Sequence, residues 1–216
     1  AEDGNGGTAT QTLTVTVTDA VTPGTGFVIE GIDAGDYSGR SVSSAGDING
    51  DGIDDLIIGA TEAESYAGES YVVFGKDTAF DAELELSALD GSNGFVIEGF
   101  DAYDYSGGSV SSAGDINGDG IDDLIIGAPF ADPNGDSNAG ESYVVFGTTE
   151  AFTGTLELSS LDSSNGFVIN GIDSFDLSGE FVSAAGDING DGIDDLIIGA
   201  RGANPNGIEG AGESYV

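Results

Sequence analysis

The sequence predicts an all-β protein that is built from three copies of one repeat. One segment, AGDINGDGIDDLIIGA, occurs unchanged in each copy, at residues 45–60, 113–128 and 185–200. A second segment keeps the same register, as FVIEG at 27–31 and 95–99 and as FVING at 167–171. A third segment, ESYVVFG, stands at 69–75 and 141–147. Repetition of this kind is typical of a solenoid or a propeller.

Each repeat divides into four short strands separated by turn residues, and no stretch has a helical period of useful length. In the first repeat the strands are expected at residues 41–45, 55–60, 70–74 and 95–98. Leu56, Ile57 and Ile58 follow one another in the second strand, which predicts burial on both faces of a sheet. The complete repeats differ in length only after this strand, which predicts an exposed loop there. The variable segments are residues 61–68, 129–140 and 201–212.

The composition restricts the function. Asp and Glu number 40 against three basic residues, and the formal net charge is -37. Nucleic acids and anionic lipid headgroups are therefore excluded as partners, and the apolar runs are too short for membrane insertion. A hydrophobic fraction of 38% allows a packed core. Cys and His are absent, which removes disulfides, thiol nucleophiles, zinc ligation and histidine acid–base chemistry, so we expect no enzyme activity in this chain.

The acids are concentrated in one nine-residue loop per repeat. Calcium takes roughly six to eight hard oxygen ligands, and side-chain oxygens at the first, third, fifth and ninth positions with a carbonyl at the seventh can surround one ion. Gly50 and Gly52 permit the sharp turn that this requires. We therefore predict one calcium ion per repeat and three in total. The predicted ligands are Asp47, Asn49, Asp51, Ile53 and Asp55; Asp115, Asn117, Asp119, Ile121 and Asp123; and Asp187, Asn189, Asp191, Ile193 and Asp195.

Two other interpretations of this loop are weaker. An EF-hand begins with the same spacing, but its twelfth position holds a bidentate acid, and here that position is Ile58 in an apolar strand. The ninth residue, Asp55, must therefore close the site. A plain tight turn would explain the Asn-Gly and Asp-Gly pairs. It would not explain why four aspartates stand within nine residues, since their repulsion costs stability unless a cation neutralises it.

The calcium loop, the Asp-Leu-Ile-Ile-Gly-Ala strand and the Tyr-Val-Val-Phe strand follow one another in an order that resembles the FG-GAP repeats of integrin alpha subunits and their bacterial relatives. The resemblance covers residues 26–216. It implies that each repeat is a four-stranded antiparallel blade of a β-propeller, in an incomplete ring of about three blades. The chain departs from the family pattern because Ser replaces the Phe of the Phe-Gly pair at Ser38, Ser106 and Ser178.

The resemblance divides the chain into blades. The first covers residues 26–103 with the outer strand of a preceding blade, the second covers 104–175, and 176–216 form part of a third. Residues 1–25 differ, because TQTLTVTVTD alternates Thr with Leu13, Val15 and Val17. This segment resembles the last strand of a cadherin-like or VCBS-type β-sandwich domain, followed by a linker.

The expected function is that of a calcium-binding module in an extracellular protein, secreted or at the cell surface, that mediates adhesion or binds a protein or glycan. The alternatives are an accessory propeller of a secreted hydrolase and a spacer with no ligand. The strand order puts the variable loops opposite the calcium loops, on the face where we expect a ligand. Tyr37, Tyr66, Tyr105 and Phe130 are candidate anchors there. Acid pairs at 33 and 36, 101 and 104, and 173 and 176 share this face and are interpreted as solvated turns.

Overall fold

The fold is all-β in the computed structural model, which describes residues 26–216. The predicted strand with Leu13, Val15 and Val17 lies outside the described residues. The strands are β1 (Val28–Glu30), β2 (Ser41–Gly46), β3 (Asp55–Ala60), β4 (Glu69–Val73), β5 (Glu83–Glu85), β6 (Gly94–Glu98), β7 (Ser109–Gly114), β8 (Asp123–Ala128), β9 (Glu141–Val145), β10 (Thr155–Glu157), β11 (Gly166–Asn170), β12 (Ser178–Gly186), β13 (Asp195–Ala200) and β14 (Glu213–Tyr215). Helical structure is limited to single turns, namely α1 (Ala63–Tyr66) and 3-10 turns at Leu86–Ala88, Pro133–Gly135, Leu158–Ser160 and Pro205–Gly207. None of the described helices has the length and apolarity needed to span a bilayer.

The strands form successive antiparallel blades of an incomplete β-propeller, as the sequence predicts. In the first blade β2, β3, β4 and β6 lie side by side in that order, and β7, β8, β9 and β11 repeat the order in the second. The third sheet contains β12, β13 and β14. The predicted bounds are correct for β3 and differ by one residue for β4, which runs from Glu69 to Val73.

One strand type was missed by the prediction. The prediction of four strands per repeat places none between the third and the fourth, but this connection contains β5 in the first repeat and β10 in the second. β5 pairs in parallel with β1, and β10 pairs in parallel with β6. Thus β10 extends the first blade by pairing with β6. Leu84 lies between Glu83 and Glu85, and Leu156 lies between Thr155 and Glu157. Both leucines pack against the cores, while their neighbours in these strands remain exposed. The alternation of a polar residue, Leu and Glu was the available sequence signal.

The hydrophobic core lies between blades. One cluster joins Ile57 and Phe95 of the first blade to Leu124 and Ile126 of the second, and another joins the second blade to Val182 of the third. Identical segments consequently differ in burial, since neighbours cover them differently. Leu124 is 0% exposed, for example, although its equivalent Leu56 is 38% exposed.

The close approach of the blades yields a stability prediction with an internal control. A Cβ added at Gly127 would lie 1.9 Å from the carbonyl oxygen of Gly179 in the next blade, whereas the nearest atom at the equivalent Gly199 is 3.6 Å away. Backbone cannot move aside as a side chain can. We expect Gly127→Ala to lower the free energy of unfolding by about 1–3 kcal/mol. Gly199→Ala should change it by less than about 0.5 kcal/mol. Urea unfolding followed by circular dichroism measures the free energy of unfolding of both variants. Equal losses would contradict the close contact between the backbones of adjacent blades.

Candidate metal centre

The predicted calcium loop connects the first and second strands of each repeat. In the first blade it begins after Gly46, the last residue of β2, and ends at Asp55, the first residue of β3. Gly50 has a φ of 69° and Gly52 a φ of 88°, values that favour glycine, and their counterparts in the other two loops have the same sign. The predicted reason for these glycines is confirmed.

Side-chain oxygens organise the loop by accepting hydrogen bonds from its backbone amides. The Asp51 amide donates to Asp47 Oδ1 and to Asn49 Oδ1, both at 2.9 Å. The Gly52 amide donates to Asp47 Oδ2 at 2.8 Å, and the Ile53 amide donates to Asp51 Oδ1 at 2.9 Å. The second and third loops repeat this set through Asp115, Asn117 and Asp119 and through Asp187, Asn189 and Asp191. The side chains at the first, third and fifth positions of each loop therefore hold the same turn of backbone in place.

The ninth residue ties the loop to the rest of the blade. Asp55 is fully buried, and it accepts hydrogen bonds from the Gly75 amide at 2.7 Å and the Ile48 amide at 3.1 Å. Burial raises the pKa of the Asp55 carboxyl to about 6, although these two hydrogen bonds act to lower it. The equivalent Asp123 is also fully buried, and burial raises its pKa to about 6.

The third loop is closed differently at its ninth residue. Asp195 accepts from the Ile188 amide at 2.9 Å, as its equivalents do, but its second oxygen accepts from the Asn189 side-chain amide at 3.2 Å. Asp187 is exposed there, and a hydrogen bond from the Gly192 amide is the main cause that lowers the pKa of its carboxyl. The third loop is thus more open to solvent than the first two.

The donor chemistry of each loop fits calcium. Every predicted side-chain ligand is a carboxylate or amide oxygen, and each carboxylate oxygen can accept more than one hydrogen bond. Among residues 26–216, no amide donates to the carbonyl oxygens of Ile53, Ile121 or Ile193, the seventh-position ligands. In the same part of the chain no three acidic side chains are already drawn into a cluster able to hold an ion. Each loop therefore places oxygen ligands of the kind that calcium prefers on an ordered turn, where their side chains are hydrogen-bonded to backbone amides.

Sequence reasoning missed the eighth loop residue. Asp122 Oδ2 accepts from the Asp47 amide at 2.9 Å, and Asp194 Oδ2 accepts from the Asp115 amide at 3.1 Å. The first and second loops are therefore each fastened at their first residue by the loop of the following repeat. The doubled Asp-Asp was visible in the sequence, but the contact joins residues 75 or more positions apart.

The opposite face carries the variable loops and the acid pairs, as predicted. The Phe130 amide donates to the carbonyl of Asp104, and the Glu62 amide donates to that of Asp36, so turns and variable loops touch. The interpretation of the pairs as solvated turns is wrong for Asp104 and Asp176, which are 7% and 5% exposed. Burial, with the nearby Asp101 and Glu141 carboxylates, raises the pKa of Asp104 to about 7. Packing of neighbouring turns covers these acids.

Comparison with known proteins gives consistent matches. The family model for the FG-GAP repeat matches residues 38–73, 106–145 and 178–216. The chain is 32% identical over 183 residues to Drosophila melanogaster integrin alpha-PS5 and 32% identical over 177 residues to human integrin alpha-IIb, which in each case is 82% of the chain and 16% of the relative. It is also 32% identical over 188 residues to bovine phosphatidylinositol-glycan-specific phospholipase D, covering 82% of the chain and 21% of that protein. The chain thus spans about a fifth or less of the length of these relatives.

The contact made by the eighth residue can be tested in the second loop. Asp122→Ala removes the acceptor of the Asp47 amide, and we expect a loss of about 1 kcal/mol in the free energy of unfolding, measured by urea denaturation. Asp54→Ala is the matched control, because Asp54 is exposed and accepts no hydrogen bond from the described residues. An equal loss in both variants would show that the link between loops adds no stability.

The buried ninth-position acids predict the pH dependence of the metal-free protein. Their raised pKa means that the folded chain keeps a proton that the unfolded chain has lost, so stability present near pH 4 is lost as the pH rises through about 6. With a chelator present, we expect the melting temperature to fall from pH 5 to pH 7, and to fall less in Asp123→Asn.

The control for the pH experiment is Asp90→Asn. Hydrogen bonds from Ser92 lower the pKa of this exposed acid, so its titration is complete below the range measured. Between pH 5 and pH 7, the melting temperature of the Asp90→Asn variant should fall as steeply as that of the unmodified chain. A melting temperature that rises over this range would contradict the assignment.

Proposed function

The chain belongs to the FG-GAP repeat family, and from this premise we propose that it is a calcium-binding, integrin-alpha-like propeller module of an extracellular or cell-surface protein. Its role is adhesion or another interaction with a protein or glycan. The observation that carries the proposal is the threefold recurrence of one oxygen-rich loop with the same amide network at each copy.

Charge supports calcium as the ligand. Each loop holds four aspartates within nine residues in a protein of net charge -37, and two of the ninth-position acids are fully buried. A divalent cation would offset the repulsion among these carboxylates and the cost of burying them. Side-chain oxygens of the first, third, fifth and ninth residues and the seventh carbonyl would hold it. The bound ion would supply positive charge that stiffens the hairpin between the first two strands.

A non-catalytic role fits the residues of the loops. The carboxylates are held by backbone amides, and the chain lacks the His and Cys side chains of common hydrolytic sites. The similarity to a bovine phospholipase favours one alternative, an accessory propeller of a secreted hydrolase whose catalytic residues are in another part of the protein. A spacer that binds no ligand is the other alternative.

The integrin relatives also support an extracellular location, where calcium is plentiful. A bacterial origin, and a cadherin-like or VCBS-type domain that ends within residues 1–25, remain predictions from the sequence. They would place the propeller in a larger modular surface protein.

Calcium titration by calorimetry tests the proposal, with three ions per chain as the expected uptake. Asp119→Asn removes one ligand charge but keeps an oxygen to accept from the Ile121 amide. We expect this variant to lose high-affinity uptake at one of three sites. Binding at one site stabilises a fold by about 2.7 kcal/mol when calcium is 100 times its dissociation constant, so the melting shift on adding calcium should shrink.

The control for the titration is Asp90→Asn, which makes the same change of charge in a turn outside the loops. Asp90 likewise accepts an amide hydrogen bond, from Ser92 at 2.9 Å. It should keep three sites and the full melting shift. No uptake at millimolar calcium, or equal losses in the two variants, would overturn the calcium assignment.

A further inference from the structure

The face opposite the calcium loops contains a cleft of about 680 Å³ between the first and second repeats. We call it the tyrosine cleft. Its walls include Arg40, Tyr103, Tyr105, Phe130, Asp132 and Asn138. The Tyr105 amide donates to the carbonyl of Tyr66 at 2.9 Å, which joins the variable loop of the first repeat to a turn of the second. The cleft thus lies on the seam between two rigid blades.

Four aromatic rings form a continuous row, in which Tyr103, Tyr105 and Phe130 line the cleft and Tyr66 packs behind them. Tyr66 stacks on Tyr103 with ring centres 5.6 Å apart and also touches Tyr105 at 5.5 Å. Tyr105 in turn lies 5.2 Å from Phe130. Tyr103 remains 63% exposed and Phe130 remains 39% exposed. A row of rings that pack on each other yet stay open to solvent leaves apolar surface that a ligand can cover.

The backbone under these rings is strained. Tyr66, Tyr103 and Tyr105 have φ values of 67°, 75° and 55°, in the left-handed region that bulky residues avoid. Phe175 and Leu177, the equivalents of Tyr103 and Tyr105 in the third repeat, have φ values of 69° and 56°, so the strained turn itself recurs between repeats. What differs at the cleft is that large rings occupy this turn next to a third ring, that of Tyr66.

Tyr66 shows that the fold itself does not need a tyrosine at this position. Asn138 and Gly210 are its equivalents in the second and third repeats, with φ values of 52° and 66°. Asn and Gly are the residues that suit a left-handed conformation. The first repeat alone places a large ring there, at a conformational cost that the other two repeats avoid. This ring packs on Tyr103 and Tyr105, which line the cleft, and we assign it the role of positioning them.

The polar groups of the cleft define the ligand chemistry. Within the described residues no ion pair engages Arg40, whereas Arg201 is bound to Glu180. The Arg40 guanidinium can donate, the Asp132 carboxylate can accept, and the Asn138 amide can do both. The acids that line the cleft are Glu62, Asp104 and Asp132. They oppose an anionic ligand, while the Arg40 guanidinium among them opposes a cation. A neutral ligand with an apolar face and many hydroxyl groups matches all of these groups.

We propose that the tyrosine cleft binds a neutral saccharide. A sugar ring stacks its C–H face on Tyr103 and Phe130, and its hydroxyl groups exchange hydrogen bonds with Arg40, Asp132 and Asn138. This site deepens the proposed interaction role of the module, on which it rests, by naming the ligand class and the seam that holds it. Small clefts with aromatic walls and a few placed polar groups are the usual form of such sites.

The test uses the full chain saturated with calcium chloride and a panel of neutral probes, namely cellohexaose, xylohexaose, mannohexaose and chitohexaose. Saturation-transfer NMR and calorimetry report binding. We expect at least one probe to bind, and Tyr103→Ala to weaken it about tenfold or more. Tyr66→Asn, which installs the residue of the second repeat, should weaken binding similarly while the melting temperature stays within about 3 °C.

Tyr37→Ala is the matched control. Tyr37 is also 63% exposed and has a φ of 54°, but it does not line the cleft and, within the described residues, its ring packs on none of the rings that do. The affinity of the Tyr37→Ala variant for the bound probe should equal that of the unmodified chain. Equal weakening by Tyr37→Ala and Tyr103→Ala would overturn the assignment of the cleft.

The remaining outcomes separate this inference from the proposed function. No binding by any probe, in a sample that takes up three calcium ions, overturns the saccharide site and leaves the calcium module intact. Binding of an arginine-rich peptide but of no sugar, lost in Tyr103→Ala, also overturns it in favour of a cationic partner. Failure of calcium uptake instead overturns the proposed function.

Discussion

The structure depends on one buried carboxylate at the start of the second strand of each complete blade. Asp55 accepts hydrogen bonds from the amides of Ile48 and Gly75 with its two oxygens, so a single side chain joins the loop to Gly75, two residues beyond the third strand. Asp123 does the same in the second blade. The hairpin, the third strand and the oxygen-rich loop are therefore fixed relative to one another. Loss of this acid would leave buried amides without acceptors.

Contacts between blades extend this order along the array. Apolar side chains of adjacent sheets form shared clusters, and β10 adds to the edge of the preceding blade. Asp122 and Asp194 each accept a hydrogen bond from an amide in the loop of the preceding repeat. The first and second loops are consequently held both by their own blade and by the next one, which favours a rigid module over a flexible string of repeats.

The two faces of the array differ in how closely their loop sequences repeat. The loops that we assign to calcium have one sequence in all three repeats and one hydrogen-bond pattern at their first five positions. The other face is built from segments that differ in length and sequence, and within residues 26–216 its aromatic row lies between the first and second repeats. In the proposed function, stability depends on the segments that the repeats share, and ligand recognition on the segments in which they differ. This division follows because exposed loops tolerate change that buried strands do not.

The sequence alone determined the all-β class, the blade order and the candidate ligands, because these follow from local spacing: alternating strands, turn glycines and oxygen-bearing side chains within nine residues. Tertiary structure decided everything that depends on neighbours. Identical segments are buried to different degrees, Asp104 lies covered where a solvated turn was expected, and Asp122 binds a loop in another repeat. The tyrosine cleft belongs here too, since Tyr66 and Tyr103 meet only when two blades pack. Sequence patterns report what a residue contacts along its own chain segment, whereas contacts between blades depend on packing that no single repeat contains.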